Sequence, residues 1–451
     1  MAIVDTDVLV VGAGAAGLAS AQRLGERGIN FQLLEAADRV GGRVLTDYRI
    51  ADGAPVETGA LMIHGRRVIT HQWASELGVG TRRLPMVQRT VFFRNRRSAR
   101  LPWMALPFHP VFGFRAVYQS SSVIPRRLKR APNDLSFAQF LDRMEAVEGA
   151  RVLAKFLHSH INAADPDQVG ALGTGEEEAL SAEGWRHHFQ FVPGYTELMR
   201  RRAAPWLDRI RLNHRVTSIR LRPSGAQVRA IVGTEEREFR SRAVIVTVSL
   251  GVLKSGSIEF DPPLREAKRR AIEALGFGPI LETVLRLRGG DLRERFGDVA
   301  MFWGGTDTSF DRPFVGLPGR PEIISAFTAG READRRARLT DQDAVDAAVS
   351  ELSSILPSST RLGEVVNSTV CRWPLNPLIR GGYSFLPPRS RVSDRRILAE
   401  PVERQLFFAG EATNVQGDYA TVHGAIETGY RAAEEATGAL RAQNRPLDDG
   451  N

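Results

Sequence analysis

The sequence predicts an α/β fold in which a parallel sheet with a glycine turn is interleaved with an α+β region. Three observations predict it. The chain has 451 residues, 43% hydrophobic and 25% charged, enough for a large core and more than one ordinary domain. It opens with a strand, a glycine turn, a helix and a strand. It closes with a short apolar strand, a second turn and a long helical run.

In chain order, Asp7-Val8-Leu9-Val10-Val11 reads as a buried strand and Gly12-Ala13-Gly14-Ala15-Ala16-Gly17 as a turn. Leu18 to Gly28 has helical periodicity with a glycine C-cap, and Phe31-Gln32-Leu33-Leu34-Glu35 is the second strand. Gly12-x-Gly14-x-x-Gly17 alone is a weak signal. Here it follows a strand, opens a helix and has Glu35 18 residues beyond Gly17, the context of a dinucleotide fingerprint. The glycines let the backbone approach a pyrophosphate, and the helix N-terminus offers unpaired N–H groups. Glu35 can accept from ribose hydroxyls and disfavours a 2′-phosphate.

Residues from about 80 to 190 change character. Trp103 to Tyr118 is aromatic and carries Pro107 and Pro110, and Pro125-Arg126-Arg127-Leu128-Lys129-Arg130 is basic. This stretch reads as a membrane-touching flap, a substrate-tunnel wall or packed core. Strands return at Ile210–Leu212, Val216–Ile219 and Ala243–Val248. Phe407-Phe408-Ala409-Gly410-Glu411 is a late strand and turn, and a helix from about Thr421 to Leu440 closes the fold. The expected division is discontinuous. Residues 1–80, 195–270 and 375–442 form a cofactor domain, and 81–194 and 271–374 a substrate domain.

The net charge is +9, yet all but four of the 61 basic residues are arginines, and they are scattered. A nucleic-acid binder concentrates its charge, so none is expected as a partner. Cys371 is the only cysteine, which rules out an intrachain disulfide and a cysteine-based metal cluster and fits a reducing cytoplasm. No metal site is expected. No apolar run reaches the roughly 18 residues of a membrane span. No signal peptide is expected before the first strand. A homodimer is compatible with all of this.

Asp38-Arg39-Val40-Gly41-Gly42-Arg43, following Glu35 and Ala36, separates flavin from nicotinamide chemistry. It resembles the second signature of the glutathione-reductase-like flavoproteins, especially the monoamine oxidase superfamily. Other landmarks of that superfamily follow in order. Glu57-Thr58-Gly59-Ala60-Leu61-Met62-Ile63-His64-Gly65 resembles the loop beside the isoalloxazine ring, and Val216 the adenine contact. Leu275-Gly276-Phe277-Gly278 resembles the crossover into the substrate domain, and Arg372-Trp373-Pro374 with Gly381-Gly382-Tyr383-Ser384 a substrate-side strand pair. Phe408 to Thr413 and Ala420 to Ala425 resemble the C-terminal flavin motif. The resemblance spans about residues 7–437 and implies a glutathione-reductase-like Rossmann FAD domain interleaved with an α+β substrate domain.

It further implies that Gly12, Gly14, Ala15, Ala16, Gly17, Glu35, Ala36, Arg39, Gly41, Gly42 and Arg43 hold the cofactor. Gly59, Ala60, Leu61, Met62, Val216, Gly410, Glu411, Thr421 and Val422 would do so too. Glu411 would hold ribityl hydroxyls. The helix from Thr421 would aim its positive end at the flavin N1–C2 edge, where reduction places negative charge. Tyr383 and Thr421 match the positions flanking the substrate nitrogen, giving half an aromatic cage, although Tyr383 also suits a core. Trp373 suits a pocket wall, His64 a substrate contact or loop packing, and His423 support of the flavin helix.

The sequence departs from the superfamily at three places. Many relatives carry a lysine shortly after the Leu-Gly-Phe-Gly run that binds a water near flavin N5; here the residue is Glu282. It could anchor an amine, accept a proton if desolvated, or be an exposed strand residue without a role. Met62 stands where amino-acid oxidases place a carboxylate-binding arginine. Gly382 stands where mitochondrial-type enzymes attach FAD through cysteine, so non-covalent FAD is expected.

These features point to an FAD-dependent amine oxidase. Hydride would pass from the amine α-carbon to flavin N5, giving an imine, then a carbonyl compound, with oxygen reduced to hydrogen peroxide. Its partners would be a small amine, bulky or aromatic, and molecular oxygen. The alternatives are a flavin dehydrogenase or desaturase with another acceptor, an L-amino-acid oxidase with a different carboxylate arginine, and a flavin-binding protein without turnover.

Overall fold

The computed structural model describes residues 4–84, 90–94, 97–100, 115, 118–181, 187–298, 301–306, 309–317 and 319–443. Most of the aromatic segment 102–118, and the polar tail beyond 443, lie outside the described residues.

The strand Val4–Val11 is the centre of the first sheet. It pairs in parallel with Phe31–Leu34 on one side and Glu235–Val246 on the other. Ile210–Arg211 extends the sheet beyond Phe31–Leu34. Gly225–Val232, Arg215–Arg222 and Glu259–Asp261 extend it beyond Glu235–Val246, and Leu406–Phe408 pairs in parallel with that strand's end. Both faces are covered, so the central strand is apolar at every position from Val8 to Val11. Val8 and Val10 face one core, with the helices Ala15–Glu26 and Val422–Gln443; Leu9 and Val11 face the other.

These two helices cross backbone to backbone. A Cβ on Gly429 would lie 2.2 Å from the Ala16 carbonyl, and Ser20 Oγ donates to the Gly429 carbonyl at 3.0 Å. Small residues at the crossing hold the N- and C-terminal motifs together on the same side of the sheet.

The second sheet runs Glu364–Arg372, Ile280–Arg288, Arg320–Ala329, Ser309–Leu317, Met301–Thr306, Thr90–Arg94 and Arg97–Arg100. Its alternation divides its residues between two environments. Leu285, Phe302, Phe314, Ile324 and Ala326 pack against the helix Asp341–Ile355. The opposite face carries Ile280, Glu282, Ser325, Phe327, Val315, Met301 and Trp303 and looks back toward the first sheet. The short ladder Gly276–Gly278 with Tyr383–Phe385 joins the two halves. No helix among the described residues is long and apolar enough to cross a membrane.

Candidate active site

A continuous pocket of about 1220 Å³ runs from the glycine turn to the inner face of the second sheet. That exceeds the roughly 300–1,000 Å³ of a single small-ligand site.

Its first end is a slot lined by backbone. Gly12 has φ +106°, and a Cβ there would meet Thr247 Oγ1 at 2.7 Å; a Cβ on Gly17 would lie 1.9 Å from the Gly12 carbonyl. The turn therefore tolerates no side chain at either position. Gly14 bridges to Gly41, whose N–H donates to the Ala13 carbonyl at 2.9 Å. The helix Ala15–Glu26 begins without a side-chain cap and without an acidic residue in its first turn. Its free N–H groups open on the pocket beside Gly14, Ala15, Ala16 and Gly42, an anion site suited to a diphosphate.

Glu35 lines the slot. Its Oε2 accepts from the Ala13 N–H at 2.6 Å and its Oε1 from the Ala37 N–H at 2.8 Å. Burial pushes its carboxyl above the ordinary range, and these two donors oppose that shift. Each oxygen keeps a lone pair for a hydroxyl. Ala36 and Val216 complete this end; the Glu35 carbonyl accepts the His214 N–H at 2.8 Å, which fixes the Val216 strand against it.

The middle of the pocket joins motifs distant in sequence. Arg43 Nη1 donates to Glu411 Oε1 at 2.9 Å and to the Gly382 carbonyl at 2.7 Å. Glu411 Oε2 accepts from Ser384 Oγ at 2.6 Å and from the Ala420 N–H at 3.1 Å. Burial alone would raise the Glu411 carboxyl, but Arg43, Arg395 and Ser384 hold it below the ordinary range. The segment Gly59, Ala60, Leu61 and Met62 lines the pocket, with Ala60 N–H on the Arg43 carbonyl at 3.1 Å. Gly410, Thr421 and Val422 line it from the other side. Thr421 Oγ1 accepts the Gly424 N–H at 3.0 Å and donates to the Asp418 carbonyl at 2.6 Å, capping the last helix with its positive end at the pocket. This sequence of anion slot, ribose acceptor and capped helix end fits a flavin adenine dinucleotide.

At the far end Tyr383 and Trp373 meet the second sheet. Trp373 is 4% exposed, and its Nε1 donates to the Thr58 carbonyl at 2.9 Å, which fixes the ring as a wall. Burial pushes the Tyr383 hydroxyl well above its ordinary range, so it stays protonated. A Cβ on Gly382 would lie 2.3 Å from Ile280 Cδ1, so a side chain there would require Ile280 to move. Cys371 lies on a strand opposite Glu282, with burial pushing its thiol up to about 12.

Three expected residues stand off the pocket wall. Gly17 lies beneath the turn. Arg39 donates to the carbonyls of Val40, Gly42 and Val44, so it shapes the loop instead of reaching into the pocket. Glu282 is no exposed strand residue: it is 1% exposed, with Oε1 accepting from Ser325 Oγ at 2.7 Å. Burial pushes its carboxyl up to about 8, and Glu57 adds to this. Its cross-strand partner Phe327 and its same-face neighbour Ile280 both line the pocket; Glu282 itself does not.

Other lining residues carried no sequence signal. His188 meets His64 with Nδ1 to Nδ1 at 3.0 Å, set by the antiparallel pairing of Ile63–His64 with His188–Phe191. Burial, then His188 and His423, hold the His64 pKa well below its ordinary range. Met301, Trp303, Val315 and Phe327 come from the second sheet, and Leu153 and Ile161 from the helix Glu148–Asn162.

The family model described as flavin containing amine oxidoreductase matches residues 15–437. Polyamine oxidase 3 of Oryza sativa subsp. japonica is 30% identical over 467 aligned positions, covering 98% of this chain and 91% of that protein. Lysine-specific histone demethylase 1 homolog 1 of the same plant is also 30% identical over 98% of this chain, which spans 53% of its length. Wild-type putrescine oxidase bound to putrescine superposes with a TM-score of 0.83 at 20% identity, over 97% of this chain and 100% of that one. Cyclohexylamine oxidase from Brevibacterium oxydans IH-35A gives 0.79 at 21% identity, over 98% and 100%.

Proposed function

The chain belongs to the flavin-containing amine oxidoreductase family, and from that premise we propose that it oxidises an amine at its α-carbon to an imine, with oxygen as the final acceptor. Water would hydrolyse the imine to an aldehyde or ketone with release of ammonia or an amine, and oxygen would be reduced to hydrogen peroxide. The observation that carries this reading is the continuity of the pocket. The dinucleotide cradle and the chamber under the second sheet are one cavity, whose lining includes Tyr383, Trp373 and Thr421.

Bound FAD supplies the hydride acceptor. The chain's own residues then have separate tasks. The slot at Gly14 and Gly42, with the uncapped helix end, holds the diphosphate. Glu35 and Glu411 accept from sugar and ribityl hydroxyls. The positive end of the helix capped by Thr421 stabilises negative charge arriving with the electron pair. Tyr383 and Thr421 flank the reacting carbon and nitrogen, and Trp373, held by Thr58, closes the wall. The surrounding apolar side chains exclude water, so the amine reacts in its neutral form and turnover rises toward alkaline pH.

Glu282 favours a second reading, a dehydrogenase that passes electrons to a carrier. A lysine there would hold a water near the reacting edge; Glu282 is instead tied to Ser325 and paired across strands with Phe327. One experiment tests both. A panel of amines is added to the holoenzyme without oxygen while the visible flavin band is followed, and air is then admitted with peroxide measured. Bleaching followed by rapid recovery and peroxide supports the oxidase. Bleaching with slow recovery in air and fast reduction of a dye supports the carrier-linked enzyme. No bleaching by any amine removes both.

A further inference from the structure

The chamber beyond Tyr383 is lined by Leu153, Ile161, Met301, Trp303, Val315 and Phe327. Four of these belong to the inner face of the second sheet. Met301 pairs with Val315 across the strands, and Phe327, paired with Glu282, lies in a neighbouring row of the same face, so apolar side chains from two rows reach the cavity. The histidine pair adds polar atoms to this end. At 3.0 Å one ring nitrogen donates and the other accepts, and burial disfavours the charged form of His64.

The carboxyl on this face is Glu282, which does not line the cavity although its neighbours Phe327 and Ile280 do. Its Oε2 accepts no hydrogen bond among the described residues, and burial holds the group as a neutral acid through neutral pH. Glu35 and Glu411, the acids among the described lining residues, belong to the cradle.

We propose that the substrate is a monoamine with a bulky apolar body, cyclic, aromatic or branched, and that the chamber rejects diamines and polyamines. This rests on the amine-oxidising reading above. The apolar body leaves water for a packed wall. A second ammonium would leave water for a chamber whose described walls offer no counter-charge, which costs far more than the contacts return.

The test compares matched pairs by anaerobic stopped-flow reduction of the holoenzyme: butylamine against putrescine, hexylamine against its α,ω-diamine, with 2-phenylethylamine and spermine beside them. The expected ratio of reduction rate to apparent Kd is at least about 100-fold higher for each monoamine than for its matched diamine. It should also rise about fourfold for each methylene between butylamine and hexylamine. Phe327→Ala removes the ring paired with Glu282, which should open that carboxyl to the cavity and raise diamine efficiency about tenfold or more. Glu282→Gln in that background should abolish the gain. A diamine that reduces the wild-type flavin as efficiently as its matched monoamine overturns the assignment and leaves the amine-oxidising reading standing. Failure of every amine to bleach the flavin removes that reading itself.

Discussion

Arg43 and Glu411, 368 residues apart, meet at 2.9 Å across the pocket, so the N-terminal and C-terminal motifs close on one another through an ion pair. Glu411→Gln keeps the shape and removes the charge. It is expected to weaken FAD binding about 10- to 100-fold, measured by flavin fluorescence on dilution. Arg43→Met should cost more, because it takes the bonded guanidinium from a buried carboxylate. The Glu411 carboxyl is held below its ordinary range, so its contribution is present above that range and lost as pH falls through the depressed value. Flavin retention should therefore fall at acid pH in the wild type, and this limb should flatten in Glu411→Gln. Equal retention by both proteins would dissolve the link.

Thr421 caps the final helix through Gly424 and Asp418. Thr421→Ala should destabilise the holoenzyme by about 0.5–2 kcal/mol, and Thr421→Ser should restore most of it. Thermal unfolding of the two variants checks this. An alanine variant as stable as the wild type would mean that the cap is not held by this hydroxyl.

The cradle was legible because its chemistry is local. Glycines at fixed offsets, a carboxylate at the next strand end and a second glycine pair need only a short stretch of chain. The chamber was not legible. Met301, Phe302 and Trp303 are all large and apolar, so period-two alternation could not say that Phe302 faces the helix Asp341–Ile355 while its neighbours face the pocket. His188 gains its partner only through a two-residue antiparallel pairing with a strand more than a hundred residues earlier. Arg39 looked like a cofactor ligand from its place in the motif, but three carbonyls of the same loop take its guanidinium. Glu282 was recognisable as a departure, and its burial depended on the strands on either side.

Arg395 is a fully buried positioning residue whose guanidinium has no role in the motifs. Its Nε meets Glu177 Oε1 at 2.7 Å with the two side chains 1% and 2% exposed, and its Nη1 donates to Ser384 Oγ at 2.6 Å, behind Glu411. Arg395→Met strands Glu177, so it should cost about 3–5 kcal/mol in chemical denaturation. Restoring neutrality with Arg395→Met plus Glu177→Leu should recover much of the loss. A single variant as stable as the double one would show that the pair is not coupled.

Glu282 gives the fold a stability that depends on pH, and the sign follows from the direction of its shift. Burial, reinforced by Glu57 and opposed by Ser325, pushes its carboxyl up to about 8. The fold therefore holds the protonated form. Below the unfolded value both states are protonated and the group contributes nothing. As pH rises through the unfolded value, the unfolded chain ionises freely while the native carboxyl resists, and stability is lost until about the folded value. Glutamine does not titrate and can still accept from Ser325. Wild type and Glu282→Gln should therefore be nearly equal in stability at about pH 5, and the variant should be more stable by on the order of 2–5 kcal/mol at about pH 9. Glu57, itself pushed up to about 7 by burial, should leave the variant with a shallower slope of the same sign. Denaturant titrations of the holoproteins at the two pH values read the difference directly. A gap that does not widen with pH would mean that Glu282 is ionised in the native state, placing a charged carboxylate beside the chamber.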